Sequence, residues 1–313
     1  MVYSKNNPIF FINIISISVI VILCVVYYIN NSYNKTVYLV WNNLVKGAPI
    51  SNGFGDKLRA AIATYQYCKD NNFRFVLDAT DDICGKFLKN VKSNEYNHIR
   101  GKKIIHIDCP NGPEHCDFET LVGSELKARD DVFIYTNKCP KNDDCVSYKK
   151  GILTSADKEF AKHICEPMDF LKKEVDETIQ TLTKNYGIQH FRFKDSVFKE
   201  DIDENDPTFI KFFNILKETH KSTDVLLSNS TNFKEYAKKQ LNIKTIECNG
   251  KPCKMSHIGK TSDVESAKVG FIEFYVISKA KYVNTVSKYE WVSNFVKWPC
   301  LIYDVPLEEH VVH

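Results

Sequence analysis

The second half of this chain alternates strand patterns with helix patterns, and that alternation restricts its fold more than any single motif. Stretches 187–193, 224–228, 244–247 and 282–286 read as strands. Stretches 207–219, 232–241, 263–280 and 289–298 read as helices, the last one ended by Pro299. Strands separated by helices pair in parallel, so the expected sheet is parallel and covered on both faces. Ligands in such sheets sit beyond the carboxyl ends of the strands. His190, Arg192, Ser228 and Ser287 fall at or near those ends.

The first half is less regular. Lys35–Lys46 is a short stalk that runs into a strand at Val37–Trp41, and the Gly-rich turn 52–55 then opens a helix. Its apolar residues Leu58, Ala61, Ile62 and Tyr65 fall at helical spacing. Phe73–Asp78, Lys103–Asp108 and Val132–Thr136 read as further strands. Cys109–Arg129 reads as irregular, a place for acceptor contacts. Ser155–Tyr186 reads as helical, broken near Pro167, and would connect two domains. There is no internal repeat. The general richness in Asn, Lys and Ile suggests an AT-rich genome and says nothing of chemistry.

The 313 residues suffice for two domains of the usual ~100–200 residues. A net charge of +3 with scattered lysines gives no support for nucleic-acid binding, which needs a clustered basic face, and no nucleic-acid partner is expected. Ile9–Ile29 carries no charge, and as a helix it would rise about 31 Å, matching the ~30 Å core of a bilayer. A cleaved signal peptide is the rival reading, but its apolar run would be ~7–15 residues and would end in small residues rather than Tyr27-Tyr28. The expectation is a single-pass type II protein with a cytosolic tail at 1–8, an anchor at 9–29 and a stalk at 30–36. Its body would lie in the secretory lumen or on viral-factory-associated membranes. Sequons at Asn30, Asn34 and Asn229 agree with that, as do ten of the eleven cysteines lying beyond the span. Cys109/Cys116, Cys139/Cys145 and Cys248/Cys253 are close enough in sequence to staple loops. Zinc is the competing use, though no CxxC pair exists.

Side chains alternate along a strand, so in Gly187–Asp195 the residues His190 and Arg192 share one face while Phe191 and Phe193 share the other. Two buried phenylalanines would make the strand rigid, and the fixed guanidinium could then neutralise a phosphate. The plainer alternative is a strand end whose polar residues merely face water. Asn52-Gly53-Phe54-Gly55-Asp56 lies between a strand and a helix, where glycines and free helix N–H groups allow close approach to a phosphate. Glycines also serve any tight turn. Asp201-Ile202-Asp203 offers the one Asp-x-Asp triplet, within KEDIDEND, a run that reads as a solvated loop; no metal site is expected. No nucleophilic triad or GxSxG turn is present.

The order NGFGDKLRA (52–60), HFRFKD (190–195), LLSNSTNFKEYAKK (226–239) and GFIEFYVISKAKYVNTVS (270–287) resembles the α1,6-fucosyltransferase, nodulation-fucosyltransferase and protein O-fucosyltransferase group. The resemblance spans residues 37 to 300 and consists of short motifs in order. It implies a GT-B fold, with two Rossmann-like domains facing a cleft: 37–180 on the acceptor side and 181–313 on the GDP-sugar side. It also implies transfer of fucose from GDP-fucose with inversion, without a metal or other cofactor, to a glycan or glycoprotein.

By the resemblance, Arg192 would be catalytic and stabilise the departing diphosphate. His190 and Glu273 would contact guanine, and Ser287 (or Thr285, in a shifted alignment) would reach the β-phosphate. The backbone of Asn52, Gly53, Phe54, Gly55 and Asp56 would cradle the diphosphate. Plainer readings stand beside these: an exposed helical glutamate for Glu273, a hydrogen-bonded structural histidine for His190, a surface arginine for Arg59. Ser228-Asn229-Ser230 stands where the family commonly has Thr-Asp-Asp or Ser-Asp, so Asn229 and Ser230 replace acids, and Asp56 stands where it often has an amide. The missing acids leave two alternatives open, a glycan- or nucleotide-binding protein of the same fold without turnover, and a transferase of another GDP-linked sugar. The general base is not identified; Asp56 is one candidate.

Overall fold

The computed structural model describes residues 35–41, 53–107, 118–136, 153–254, 258, 263–289 and 293–312. Two parallel sheets organise them, and the second is the one the alternation predicts. The first sheet holds β1 (Thr36–Val40), β2 (Arg74–Asp78), β3 (Ile105–Ile107) and β4 (Asp131–Thr136) in the order β2-β1-β4-β3. Helix α1 (Phe54–Asp70) follows β1, and α2 (Phe118–Ala128) precedes β4. That second helix corrects the irregular reading of 109–129. Val122 and Leu126, one helical turn apart, are buried and hold it on the core.

Helices α3 (Ser155–Ile164) and α4 (Asp169–Thr181) link the sheets, with the break at Pro167 where expected. The second sheet contains β5 (Ile188–Arg192), β6 (Val225–Ser228), β7 (Lys244–Thr245), β10 (Val283–Ser287) and β11 (Leu307–Val311). They are arranged β11-β10-β5-β6-β7, and every pairing is parallel. Helices α5 (Pro207–Thr219), α6 (Thr231–Leu241) and α7 (Val264–Ser278) form its crossovers. The expected strand 244–247 is instead split, its end passing into a small hairpin of β8 (Glu247–Cys248) and β9 (Lys251–Pro252), closed by a disulfide between Cys248 and Cys253. The strand order runs outward in both directions from the β5/β10 pair, which makes that pair the topological switch point.

The final helix departs from expectation. It is α8 (Asn294–Tyr303), and Pro299 lies inside it. Proline forfeits one helical hydrogen bond, but Val296, Trp298, Cys300 and Ile302 are all buried, so tertiary packing carries the helix past it. This helix packs on α7 and on α1 of the first half, and β11 then returns to the second sheet. One core cluster accordingly runs through both halves. The opposite face of the second sheet is an aromatic core in which Phe191 and Phe193 both pack against Phe212 and Phe233.

No helix of the described residues is long and apolar enough to cross a membrane. The expected anchor at 9–29, the sequons at Asn30 and Asn34, Asn52, and the pairs Cys109/Cys116 and Cys139/Cys145 lie outside those residues.

Candidate active site

A cavity of about 230 Å³ opens at the carboxyl end of β5. His190 and Arg192 line it from the strand, and Asp195 and Phe198 from the turn that follows. Gly53–Asp56 line it from the start of α1, Ser293–Phe295 from the start of α8, and Asn229 and Tyr289 from the ends of β6 and β10.

The two helix starts make the cavity receptive to anions. Side-chain oxygens cap α3, α5, α6 and α7 through Thr154, Asp206, Ser230 and Asp263. As at α4, whose start does not line the cavity, neither α1, which starts from Gly53, nor α8, which starts from Ser293, has such a cap. Their first-turn N–H groups and the positive ends of two helix dipoles therefore meet at one place. Gly55 is what lets them meet. A Cβ there would stand 2.7 Å from the carbonyl carbon of Asn294. The Asn294 amide donates to Asp56 Oδ1 at 3.0 Å, and Arg59 pairs with the same oxygen at 3.2 Å. Asp56 thus ties the two helices together, and its carboxylate is committed.

Arg192 is held before any ligand arrives. Its guanidinium pairs with Asp195 and lies 4.9 Å from the Phe198 ring and 5.9 Å from the Tyr289 ring. The Tyr289 hydroxyl donates to Asp195 Oδ1 at 3.0 Å and accepts from the Asp195 N–H at 2.8 Å. Burial nevertheless pushes the Arg192 pKa down, because desolvation outweighs the attraction of Asp195 and Tyr289. The charge is therefore kept at a cost to the fold, as functional sites often show.

His190 sits beside it, its Nδ1 2.8 Å from Thr285 Oγ1. Burial and the Arg192 charge press its pKa down to about 3, so the ring is neutral. The Asn229 amide clasps the backbone just beyond Arg192. Its Oδ1 accepts from Phe193 N–H at 2.8 Å, and its Nδ2 donates to Phe193 O at 3.2 Å. A carboxylate only accepts, so the donating half of the clasp needs the amide and explains why no acid stands here. Because Nδ2 is occupied and buried, the Asn229 sequon is closed in the folded chain.

Other expected ligands lie away from the cavity wall. Glu273 is 1% exposed, set in a helix buried nearly all round, and faces Lys234. Its burial corrects the exposed-helix reading as well. Burial pushes its pKa up to about 7, with Lys234 pulling the other way. Ser287 is buried, and its Oγ accepts from Tyr289 N–H at 3.1 Å, turning the chain out of β10. Ser228 Oγ is similarly spent on the Ser230 N–H. Thr285 faces His190 rather than the cavity.

Asp201 does not lie on a solvated loop as expected. Its carboxylate accepts from Ser230 Oγ, Thr231 N–H and Asn232 N–H at the start of α6, while Asp203 binds Asn205. The two acids of the triplet thus serve separate local structures. Sequence reasoning missed Asp195, Tyr289 and Ser293–Phe295. Ser293, directly before an apolar helical run, was the available signal for the true start of α8.

No protein-family model and no curated protein matches the sequence. Solved structures do match in shape. The NodZ α-1,6-fucosyltransferase co-crystallized with GDP is 12% identical, with 88% of this chain and 94% of that chain covered and a TM-score of 0.53. Fucosyltransferase NodZ from Bradyrhizobium is 11% identical over 88% and 95% of the two chains, also at 0.53. POFUT1 in complex with GDP-fucose is 9% identical over 89% and 98%, at 0.49. The chain shares the NodZ fold. The GT-B arrangement of two parallel α/β sheets that the motif order implied is therefore present across most of the molecule. The α1, β5 and β10 motifs that carried the resemblance meet around one cavity or directly behind it.

Proposed function

We propose that this chain is a glycosyltransferase that takes fucose from GDP-fucose and passes it, with inversion and without a metal, to a glycan or glycoprotein. The observation that carries the reading is the convergence of Arg192 with two uncapped helix starts at the sheet switch point. That arrangement suits a diphosphate. As the bond between the sugar C1 and the β-phosphate oxygen breaks, its electron pair moves onto that oxygen. Arg192 would exchange Asp195 for the growing phosphate charge, and the first-turn N–H groups of α1 and α8 would receive the rest. The acceptor hydroxyl would attack the opposite face of C1 and release its proton to a base.

The shared fold supports this reading, since the NodZ structure was obtained with GDP. Residues 37–180 would serve the acceptor and 181–313 the donor, with α8 joining the two. Glu273, whose carboxyl is buried beside Lys234, would read the guanine. The body would stand in the lumen behind the 9–29 anchor.

A second reading has its own observation. Asp56 and Asp195, the carboxylates on the described cavity wall, are both tied to arginines. A protein that binds the nucleotide without turnover fits that commitment. Incubating the full chain with GDP-fucose and measuring GDP release separates the two. Binding of GDP, UDP and ADP by calorimetry tests the donor itself, and equal affinity for all three would sink the guanosine reading.

A further inference from the structure

The partner of His190 on the neighbouring strand determines what His190 can offer a ligand. Thr285 is the residue opposite His190 in the parallel β5–β10 pairing, and it is fully buried. Its hydroxyl has one partner among the described residues, the Nδ1 of His190 at 2.8 Å. Two arrangements fit that distance. If Nδ1 carried the proton, it would donate to Oγ1, and the threonine O–H would be left in the core with nothing to donate to. If Nδ1 is bare, the threonine donates to it, and only acceptor lone pairs of Oγ1 go unused. A buried donor left unmade costs more than a spare acceptor lone pair.

We infer that Thr285 donates to His190 Nδ1 and so fixes the imidazole as its Nε2–H tautomer, which makes His190 a hydrogen-bond donor to whatever occupies the cavity. Nδ1 is turned to Thr285, so Nε2 is the ring nitrogen left for the cavity that His190 lines. Its neutral state, maintained by burial and by Arg192, keeps the ring a donor at one nitrogen and an acceptor at the other rather than a donor at both. The ligand atom opposite His190 must then be an acceptor. In a nucleoside diphosphate it is a carbonyl or ring nitrogen of the base, a ribose oxygen, or a phosphate oxygen. Thr285 is thereby a positioning residue for donor recognition. The identity of the ligand rests on the nucleotide reading above, whereas the tautomer does not.

The test uses full-length chain labelled with ¹⁵N-histidine, with His190→Gln identifying the His190 signals. The expected spectrum shows a protonated Nε2 and a bare, hydrogen-bonded Nδ1 across neutral pH. Thr285→Val, which keeps the shape and removes the hydroxyl, should move the bare Nδ1 signal to that of a nitrogen without a hydrogen bond, and Thr285→Ser should restore the original. GDP should bind Thr285→Val about tenfold more weakly than wild type, the loss of roughly one hydrogen bond. Inorganic pyrophosphate tells a phosphate contact from the rest, weakening in parallel if His190 meets a phosphate and binding unchanged if it meets the base or the ribose.

A protonated Nδ1 in the wild-type spectrum overturns the inference, as does an unaltered Nδ1 signal in a folded Thr285→Val. If that variant does not fold, the wild-type and serine spectra still decide. The expected spectrum in a chain that binds no GDP would uphold the tautomer and refute the nucleotide reading.

Discussion

Replacing Arg192 with methionine keeps the aliphatic bulk of the side chain and removes its charge, which separates what this residue does for the fold from what it does for a ligand. The variant loses the pair with Asp195, whose side chain is 43% exposed, so that contact is worth about 0.2–1 kcal/mol. It also loses the contacts over Phe198 and Tyr289, about 0.5–1 kcal/mol each. Against these stands the desolvation of a guanidinium whose side chain is only 14% exposed. Desolvation is the largest influence on its pKa and the net shift is downward, so the charged form is less comfortable folded than in water. The terms nearly cancel, and Arg192→Met should unfold within about 1 kcal/mol of wild type, a shift of roughly 4 °C or less.

The ligand term does not cancel. Charge-assisted hydrogen bonds are worth about 1.5–3 kcal/mol each. An anion losing even one of them in this half-closed cavity should bind at least tenfold more weakly. Removing a preorganised donor at the reacting phosphate should also slow transfer by about 100- to 1000-fold. Arg192→Lys should recover little of either, because an ammonium does not reproduce the fork. The assay pairs thermal melting with GDP calorimetry and GDP release from GDP-fucose. A melt lowered by more than about 10 °C would show Arg192 to be structural. Wild-type affinity in a well-folded variant would place the anion elsewhere.

Four further outcomes follow from the same geometry. Gly55→Ala drives a methyl into the Asn294 backbone, so it should cost about 1–3 kcal/mol in urea unfolding and weaken GDP binding with it. His190 is neutral when folded and binds a proton below its usual 6.5 when unfolded, which lowers stability as pH falls from 6.5 towards 3. Glu273 holds a proton when folded up to about 7, which raises stability as pH falls from 7 towards 4.5. The two slopes oppose between pH 4.5 and 6.5, so His190→Gln should become more stable on acidification across that window and Glu273→Gln less, as read by denaturant midpoints at pH 5 and 6.5. Turnover should survive excess EDTA, and loss restored by manganese would send attention back to a metal. Native alkylation should spare buried Cys68, Cys84, Cys165 and Cys300, and Cys248 and Cys253 should label only after reduction, as mass spectrometry can show.

What was legible in this sequence was whatever is encoded locally. Strand–helix alternation in the second half predicts a parallel sheet there, because crossover geometry leaves few other arrangements. Period-two patterning places Phe191 and Phe193 in a core and turns His190 and Arg192 the other way, since a strand has only two faces. The limits of this reading lie where a residue's role is decided by a partner far along the chain. Tyr289 is an ordinary tyrosine in sequence and becomes part of the Arg192 mounting only because β10 lies beside β5. Asp201 looks like one more acid in a charged run, yet it caps a helix 30 residues on. Glu273 looks like a surface residue until the whole turn around it is found to be buried.

The committed state of the cavity residues follows from this same dependence on distant partners. Asp56, Asp195 and Asn229 each hold a neighbour in place: a helix start, a guanidinium and a strand end. A site that must present a charge and two rows of N–H groups to an anion cannot let them wander, because every group immobilised on binding subtracts from affinity. The structure orders them beforehand, using carboxylates where a cation needs a partner and an amide where both a donor and an acceptor are wanted. The substitution of an amide for an acid at 229, which in sequence looked like the loss of a functional group, is then intelligible as a gain in rigidity of the strand end that carries Arg192. Asn229→Asp tests that argument directly. It keeps the size and the acceptor but loses the donor to Phe193 O, placing a buried negative charge against a carbonyl. It should destabilise the fold by about 1–3 kcal/mol, and it should weaken GDP binding by repulsion. A variant as stable and as tight-binding as wild type would mean that the clasp contributes nothing and that the missing acid calls for another explanation.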